Sequence, residues 1–197
     1  ITIGSLDIGH GLGGDTNSTA VGKDALDASL STSLYNTAIG ANALTAANHV
    51  DADDNTAVGY NSGAAITSGQ RNTGVGAYAL DGTDDGNNNS ALGYGALTEN
   101  CALDNTALGY KALHVFTGSN ATAVGKGAAD SATSAADLVA VGEHALSNTT
   151  TGGYGTALGY SAGRYSISTN NTFIGNAAGI NVGDAQHVVA IGREALG

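Results

Sequence analysis

The chain of 197 residues has no Pro, Met or Trp, a single Cys, and six basic residues against 17 acidic ones. One cysteine cannot form a disulfide within the chain. The net charge of −11 argues against nucleic acid as a partner, because phosphate binding requires a basic patch. No apolar run reaches the roughly 18 residues of a membrane-spanning helix, so the sequence predicts no membrane span.

Aromatic residues are also scarce, at 5% of the chain, whereas glycine occurs 31 times. The apolar fraction of 42% is too high, and too regularly placed, for a disordered chain. A core built from Ala, Val, Ile and Leu without large rings must be thin. This composition therefore favours a narrow, elongated fold.

One six-residue motif recurs along the whole chain, in forms such as NTALGY, NTAVGY and NSALGY. Its glycine first occurs at Gly4 and then returns at a period near 17 residues. Such spacing is the signature of a repeat architecture, with glycine where the backbone must bend. The predicted structural glycine column comprises Gly22, Gly40, Gly59, Gly76, Gly93, Gly109, Gly125, Gly142, Gly159, Gly175 and Gly192.

Positions in the repeat are numbered here from this glycine, which is position 0. Position −3 is mostly Thr, position −2 is mostly Ala, and position −1 is always a large aliphatic residue. This pattern predicts a short strand whose −3 and −1 side chains share one face. Because position −1 carries the bulk, we predict that it forms the core, with Val21, Ile39, Val58, Val75, Leu92, Leu108, Val124, Val141, Leu158, Ile174 and Ile191.

A single repeat cannot bury its aliphatic residue alone, so the repeats must stack. We therefore predict an all-β fold, a parallel β-solenoid of about twelve rungs that forms one domain over residues 1–197. A second short strand is expected at the Ala of position +3 and the Leu of position +4. Asn at position −4 is expected to form a ladder of stacked amides. We expect the chain to be a segment of a longer fibre.

Strand alternation places the −2 alanines on the face opposite position −1. A column of small side chains allows two backbones to approach closely, so we interpret it as a flat wall between chains. A tight interior on both sides of the strand is the alternative. The predicted trimer-interface residues are Ala20, Ala38, Ala57, Ala91, Ala107, Ala123, Ala140, Ala157 and Ala190.

The segments NTAVGYNSGA, ATAVGKGAA and VVAIGREALG resemble the head repeats of YadA-like trimeric autotransporter adhesins. Similar NTALGY runs occur in bacteriophage tail fibres. The resemblance covers essentially the whole chain, although the period here is longer than in those heads. It implies a left-handed β-roll, packed with two further copies around a common axis, on a cell or virion surface.

No catalytic constellation is evident, and we predict that the protein is not an enzyme. Cys101 lies in a loop without a histidine at matching phase, so it is interpreted as a partly buried small residue. The acidic loops lack the spacing of known calcium motifs, so we predict no firm metal site and no cofactor. The only candidates for weak Ca²⁺ binding are Asp51, Asp53, Asp54, Asp81, Asp84 and Asp85.

Four tyrosines share position +1 and are candidate ligand-binding residues if that position faces outward: Tyr60, Tyr94, Tyr110 and Tyr160. Aromatic rings suit stacking on sugars. The alternative is that they cover the glycine bend.

The leading hypothesis for function is an extracellular structural and adhesive fibre module that binds a surface glycan or host receptor. A self-assembling filament, an ice-binding solenoid with an outward threonine column, and a solenoid lyase or hydrolase are the alternatives.

Overall fold

A computed structural model describes residues 2–3, 6–10, 16–28, 33–134, 136–150 and 153–197. The described part is all-β and contains no helix. Thirteen short strands form one sheet in which each strand pairs with the next along the chain. They are β1 (Thr2–Ile3), β2 (Leu6–Gly9), β3 (Thr19–Val21), β4 (Thr37–Ile39), β5 (Thr56–Val58), β6 (Thr73–Val75), β7 (Ser90–Leu92), β8 (Thr106–Leu108), β9 (Thr122–Val124), β10 (Val139–Val141), β11 (Thr156–Leu158), β12 (Thr172–Ile174) and β13 (Val189–Ile191).

Strands β3 to β13 stack in parallel, with equivalent repeat positions directly paired. Ala38 pairs with Ala57, for example, and Ala107 pairs with Ala123. Each strand belongs to one rung of a β-solenoid with a period near 17 residues. The predicted all-β parallel solenoid is confirmed. Its left-handed winding and its trimeric assembly stay predictions.

The N-terminal end departs from the repeat. β1 pairs antiparallel with β2, which in turn pairs antiparallel with β3 through Gly9 and Ala20. The hairpin thus covers the edge of β3 that would otherwise present free backbone groups. The solenoid therefore has eleven parallel strands rather than the predicted twelve rungs. Gly4, the first glycine of the periodic series, lies outside the described residues.

The chain turns after each glycine and does not form the predicted second strand. Positions +2 and +4 both have left-handed backbone conformation: φ is 57° at Asn42 and 49° at Leu44. These turns are joined from rung to rung by backbone hydrogen bonds, such as the one from Leu44 N to Ser62 O at 3.1 Å. Closely spaced left-handed residues bend the chain sharply, which explains why no extended segment occurs there.

Glycine at position 0 is required by both conformation and space. Gly59 has a φ of +138°, which L side chains rarely adopt. A Cβ added to Gly59 would also lie 2.6 Å from the carbonyl carbon of Gly76 in the next rung. The glycine column therefore marks a line along which successive rungs leave no room for a side chain.

The structure reverses the predicted assignment of the two strand faces. Ala107 at position −2 is 1% exposed, whereas Leu108 at position −1 is 42% exposed. The same holds in every described rung: position −2 is buried, and position −1 is exposed or half-exposed. The prediction of Val21, Ile39, Val58, Val75, Leu92, Leu108, Val124, Val141, Leu158, Ile174 and Ile191 as the core column is wrong.

The nine alanines predicted to line a trimer interface are instead interior residues of their own chain: Ala20, Ala38, Ala57, Ala91, Ala107, Ala123, Ala140, Ala157 and Ala190. The opposite wall of the solenoid supplies the bulk that they face. That wall consists of buried Ala at position +3 and buried Leu at position +4, including Leu44, Leu80, Leu97 and Leu113. A narrow interior with leucine on one wall leaves room only for alanine on the other.

The asparagine ladder is confirmed, but it lies inside the solenoid and joins side chain to backbone. Asn36 Oδ1 accepts a hydrogen bond from the backbone N–H of Asn55 at 2.9 Å. The same contact links Asn55 to Asn72 at 3.0 Å and Asn72 to Asn89 at 2.9 Å. Each buried amide nitrogen donates to a carbonyl of the following loop, as from Asn72 Nδ2 to Gly86 O at 2.7 Å. The ladder therefore satisfies buried backbone groups in the corner before each strand.

Candidate binding surfaces

The acidic residues proposed as weak calcium ligands do not converge. Within the described residues, no group of three or more His, Cys, Asp or Glu side chains is placed to hold a metal ion. Asp53 Oδ1 accepts a hydrogen bond from Leu34 N at 2.6 Å, and Asp84 accepts one from the Thr67 hydroxyl. Burial raises the pKa of the Asp81 carboxyl above its usual range. Asp53 and Asp84 thus organise their loops, whereas the buried Oδ1 of Asp81 has no hydrogen-bond partner among the described residues.

Cys101 is fully buried, more completely than the sequence indicated. Its sulfur lies 3.3 Å from the hydroxyl of Thr83 in the preceding rung. Burial raises the pKa of the thiol above its ordinary value of 9.0. A protonated, inaccessible thiol is a poor nucleophile, so the environment of Cys101 is that of a core residue.

The most extensive surface feature is the outward side of the parallel strands, called here the outer face. It consists of positions −3 and −1 of β3 to β13. Position −3 contributes Thr19, Thr37, Thr56, Thr73, Ser90, Thr106, Thr122, Val139, Thr156, Thr172 and Val189. Position −1 contributes the eleven aliphatic residues first assigned to the core. The outer face is thus a column of hydroxyl groups beside a column of Val, Ile and Leu.

The middle of the outer face contains a shallow apolar depression of about 260 Å³. Its walls come from three consecutive strands, β6 to β8, and from both columns. The lining residues include Thr73, Val75, Ser90, Leu92, Thr106 and Leu108. Nothing in the described chain covers this depression.

A second feature is an unbroken row of aromatic rings beyond the glycine bend, called here the tyrosine row: Tyr60, Tyr78, Tyr94 and Tyr110. Successive ring centroids lie 5.3, 5.7 and 5.6 Å apart. The first two contacts are edge-to-face, and the rings of Tyr94 and Tyr110 are stacked at 14°. The row therefore crosses four consecutive rungs along the solenoid axis.

The structure brings together three of the four predicted ligand-binding tyrosines. Tyr160 shares position +1 and a similar exposure, but no ring contact joins it to the row. In the two intervening rungs, this position holds Lys126 and Glu143, whose side chains form an ion pair at 2.9 Å. That hydrogen bond raises the pKa of Lys126 and lowers the pKa of Glu143.

Tyr78 was missed by the sequence analysis because it lies at position +2, one residue after Ala77. Its ring nevertheless lies between those of Tyr60 and Tyr94. Partial desolvation raises the pKa of its phenol above the ordinary value of 10.0, and the neighbouring Tyr60 adds to the effect. The sequence does contain a signal for Tyr78. Its rung lies between two rungs with Tyr at position +1, and its own tyrosine is shifted by one residue.

The chain matches no known protein-family model, no curated protein and no solved structure. Its described part contains no helix long and apolar enough to cross a membrane.

Proposed function

We propose that the protein is a structural and adhesive fibre module in which three chains pack through their outer faces. The observation that carries this proposal is the unpartnered aliphatic column of positions −1. Leu92, Leu108 and Leu158 are each about half exposed on the outer face. Soluble monomers rarely leave a long contiguous apolar stripe in contact with water.

The regularity of the outer face favours a partner with the same periodicity. Parallel strands repeat about every 4.8 Å, so the apolar column is straight and evenly spaced. Another copy of this chain has matching spacing along its entire length. In a closed assembly with rotational symmetry, the apolar column of every chain is covered. An open arrangement leaves one apolar column exposed at each end.

The resemblance of NTAVGY and VVAIGREALG to YadA-like heads supports three as the number of chains. The contact surface is now the outer face, with position −1 at its centre, and not the alanine column. In this arrangement the variable loops between rungs and the tyrosine row remain available to a partner such as a surface glycan or host receptor. The mechanism is mechanical: a stiff spacer presents many weak sites, and repetition multiplies their effect.

The assembly would lie outside the cell or on a virion, where a rigid spacer separates a binding site from its anchor. No reaction is part of this proposal. The net charge of −11 keeps nucleic acid an unfavourable partner.

Ice binding is a second candidate, and the outward threonine column favours it. Eight of the eleven positions −3 on the outer face are Thr, in register and about 4.8 Å apart. The neighbouring column, however, alternates irregularly among Val, Ile and Leu, so the face is uneven beside the hydroxyl groups. An uneven apolar column suits interdigitation with another protein chain better than it suits a crystalline surface.

Sedimentation equilibrium of this chain tests the proposal. The expected mass is about three times the chain mass of 19.2 kDa. The double substitution Leu92→Lys and Leu108→Lys introduces charge into the centre of the contact and is expected to give a folded monomer. Leu103→Lys is the matched control, because Leu103 is 43% exposed but belongs to an isolated parallel bridge with Asn87, outside the strands of the outer face. It should leave the mass unchanged.

A folded wild-type monomer would contradict trimer formation and leave the outer face open to water. Thermal hysteresis of that monomer, compared with a Thr73→Leu and Thr106→Leu variant, would then test ice binding directly.

A further inference from the structure

We propose that the tyrosine row binds one neutral, linear polysaccharide chain lying along the solenoid axis. This inference deepens the proposed function, because it names the chemical class of ligand that an adhesive fibre of this kind would hold. The site belongs to a single chain, since all four rings come from consecutive rungs of the same solenoid.

The spacing of the row suits a repeating ligand. The rungs repeat about every 4.8 Å, and the ring centroids follow at 5.3 to 5.7 Å. A hexopyranose unit in an extended β-1,4-linked chain has a similar length. Successive sugar rings can therefore meet successive tyrosines without either chain changing its direction, although the differently oriented rings present edges to some sugars and faces to others.

The exposure of the row distinguishes it from core packing. Tyr60, Tyr94 and Tyr110 are each close to half exposed, and Tyr78 is half-buried. The interior of three of these rungs is already filled by the leucines of position +4, which are Leu80, Leu97 and Leu113. In the Tyr60 rung, where position +4 is glycine, the buried Ile66 takes that place. The rings are not needed to close the interior of the solenoid, and part of the surface of each ring remains in contact with water.

Contacts among the rings prepare the row for binding. Edge-to-face and stacked neighbours restrict each side chain before any ligand arrives, which lowers the entropy lost on binding. A tyrosine offers an apolar ring to the C–H faces of a sugar and a phenol to its hydroxyl groups. A row of four such residues combines both kinds of contact at every step.

Charge selects a neutral polysaccharide over an acidic one. The four rings carry no charge at neutral pH, and the chain as a whole carries −11. Two lysines lie near the Tyr110 end of the row: Lys111, whose Nζ is 5.8 Å from the centroid of Tyr110, and Lys126, which is already paired with Glu143. At the other end, Asn61 follows Tyr60 and its Oδ1 accepts a hydrogen bond from Asn42 Nδ2 at 2.9 Å. Both ends of the row thus provide polar groups suited to sugar hydroxyls.

Binding of cellohexaose, a neutral β-1,4-linked hexasaccharide, tests the inference. Because the chain has no tryptophan, its fluorescence comes from its eight tyrosines, four of which form the row, and a change on binding that Tyr94→Ala reduces is assigned to the row. Calorimetry gives the affinity. A Kd of about 1 mM is expected for one short segment. Tyr94→Ala should weaken binding about three- to tenfold, whereas Tyr94→Phe should keep most of it.

Tyr160→Ala is the matched control. Tyr160 shares position +1 with Tyr94, and the two are 51% and 49% exposed, but Tyr160 has no ring neighbour in the row. Its loss should leave the affinity unchanged. A hexasaccharide made by oxidising the C6 groups of cellohexaose keeps the β-1,4 linkage but carries carboxylates, and it should bind more weakly than cellohexaose because those carboxylates meet an acidic protein.

Several results would overturn the inference: no binding of cellohexaose by the wild type, equal losses in the Tyr94→Ala and Tyr160→Ala variants, or equal binding of the acidic hexasaccharide. A change in sedimentation mass caused by Tyr94→Ala, with affinity unchanged, would assign the row to contacts between chains instead. The mass of the same samples separates the two proposals. A trimer that does not bind overturns only this inference, and a monomer that binds overturns only the trimer.

Discussion

The ring of Phe173 occupies the space that a side chain at Gly179 would enter. Phe173 is the one residue at position −2 of β3 to β13 that is larger than alanine, and it is fully buried. Gly163 and Gly179, at position +4 of the preceding and the same rung, stand where leucine is usual. A Cβ added to either would overlap the Phe173 ring. The bulk that leucine supplies elsewhere has moved to the opposite wall of the interior.

This exchange predicts a stability defect that can be repaired. Phe173→Ala should lower the free energy of unfolding by about 3–5 kcal/mol, because the ring leaves a cavity. Adding Gly163→Leu and Gly179→Leu to that variant should recover much of the loss, since leucine is found at this position in left-handed conformation, as at Leu113 with a φ of 51°. Chemical denaturation measures both effects.

The matched comparison is Gly179→Leu in the otherwise unchanged protein. The leucine must then compete with the Phe173 ring for the same space, so this single substitution should destabilise. If it were as stable as the wild type, the two walls would not be coupled.

The asparagine ladder predicts a second effect on stability. In Asn72→Ala, the backbone N–H of Asn89 and the carbonyl of Gly86 lose their partner inside the protein. Each unsatisfied buried group costs about 1–3 kcal/mol. Asn176→Ala provides the control, because Asn176 is exposed at position +1, outside the ladder. Similar melting temperatures for the two variants would show that the ladder does not contribute to stability.

The buried thiol predicts a dependence on pH. Because burial raises the pKa of Cys101 in the folded state, the thiol resists ionisation until the protein opens. Its contribution to stability is fully present below the ordinary thiol pKa of 9.0 and is lost as the pH rises through the folded-state value.

Labelling with a thiol-specific disulfide reagent at pH 8 should therefore be slow in the native protein and fast in denaturant. Comparing the free energy of unfolding of the wild type with that of Cys101→Ala between pH 8 and pH 11 isolates the pH dependence that comes from this thiol. Rapid native labelling would show that Cys101 is accessible, contrary to the structure.

Much of the architecture could be predicted from the chain alone because it repeats. A glycine returning every 16 to 19 residues, always after a large aliphatic residue, marks one structural unit per repeat, and units this short are stable only when they stack on one another. The in-register pairing of β3 to β13 and the ladder at Asn36, Asn55 and Asn72 follow from that repetition.

The candidate site was only partly predictable. Position +1 identified Tyr60, Tyr94 and Tyr110, but the row is continuous only because Tyr78 reaches it from position +2. Tyr78 has a left-handed backbone conformation, with a φ of 59°, and its ring still reaches the surface occupied by the rings of position +1. Tyr160, identical by position, lies apart because Lys126 and Glu143 separate it from the others. The spacing of the tyrosines in the sequence does not show which of their rings are in contact.

What the sequence determined by itself is the period, the parallel stacking and the division of each strand into two faces. Alternation separates the threonine and aliphatic positions from the alanines, but it does not state which set lies inside. The tertiary structure decided that, through the leucines that fill the opposite wall of the solenoid. Because Leu44 and its equivalents already occupy the narrow interior, Ala38 and its equivalents face them, and the larger Ile39 column is turned outward.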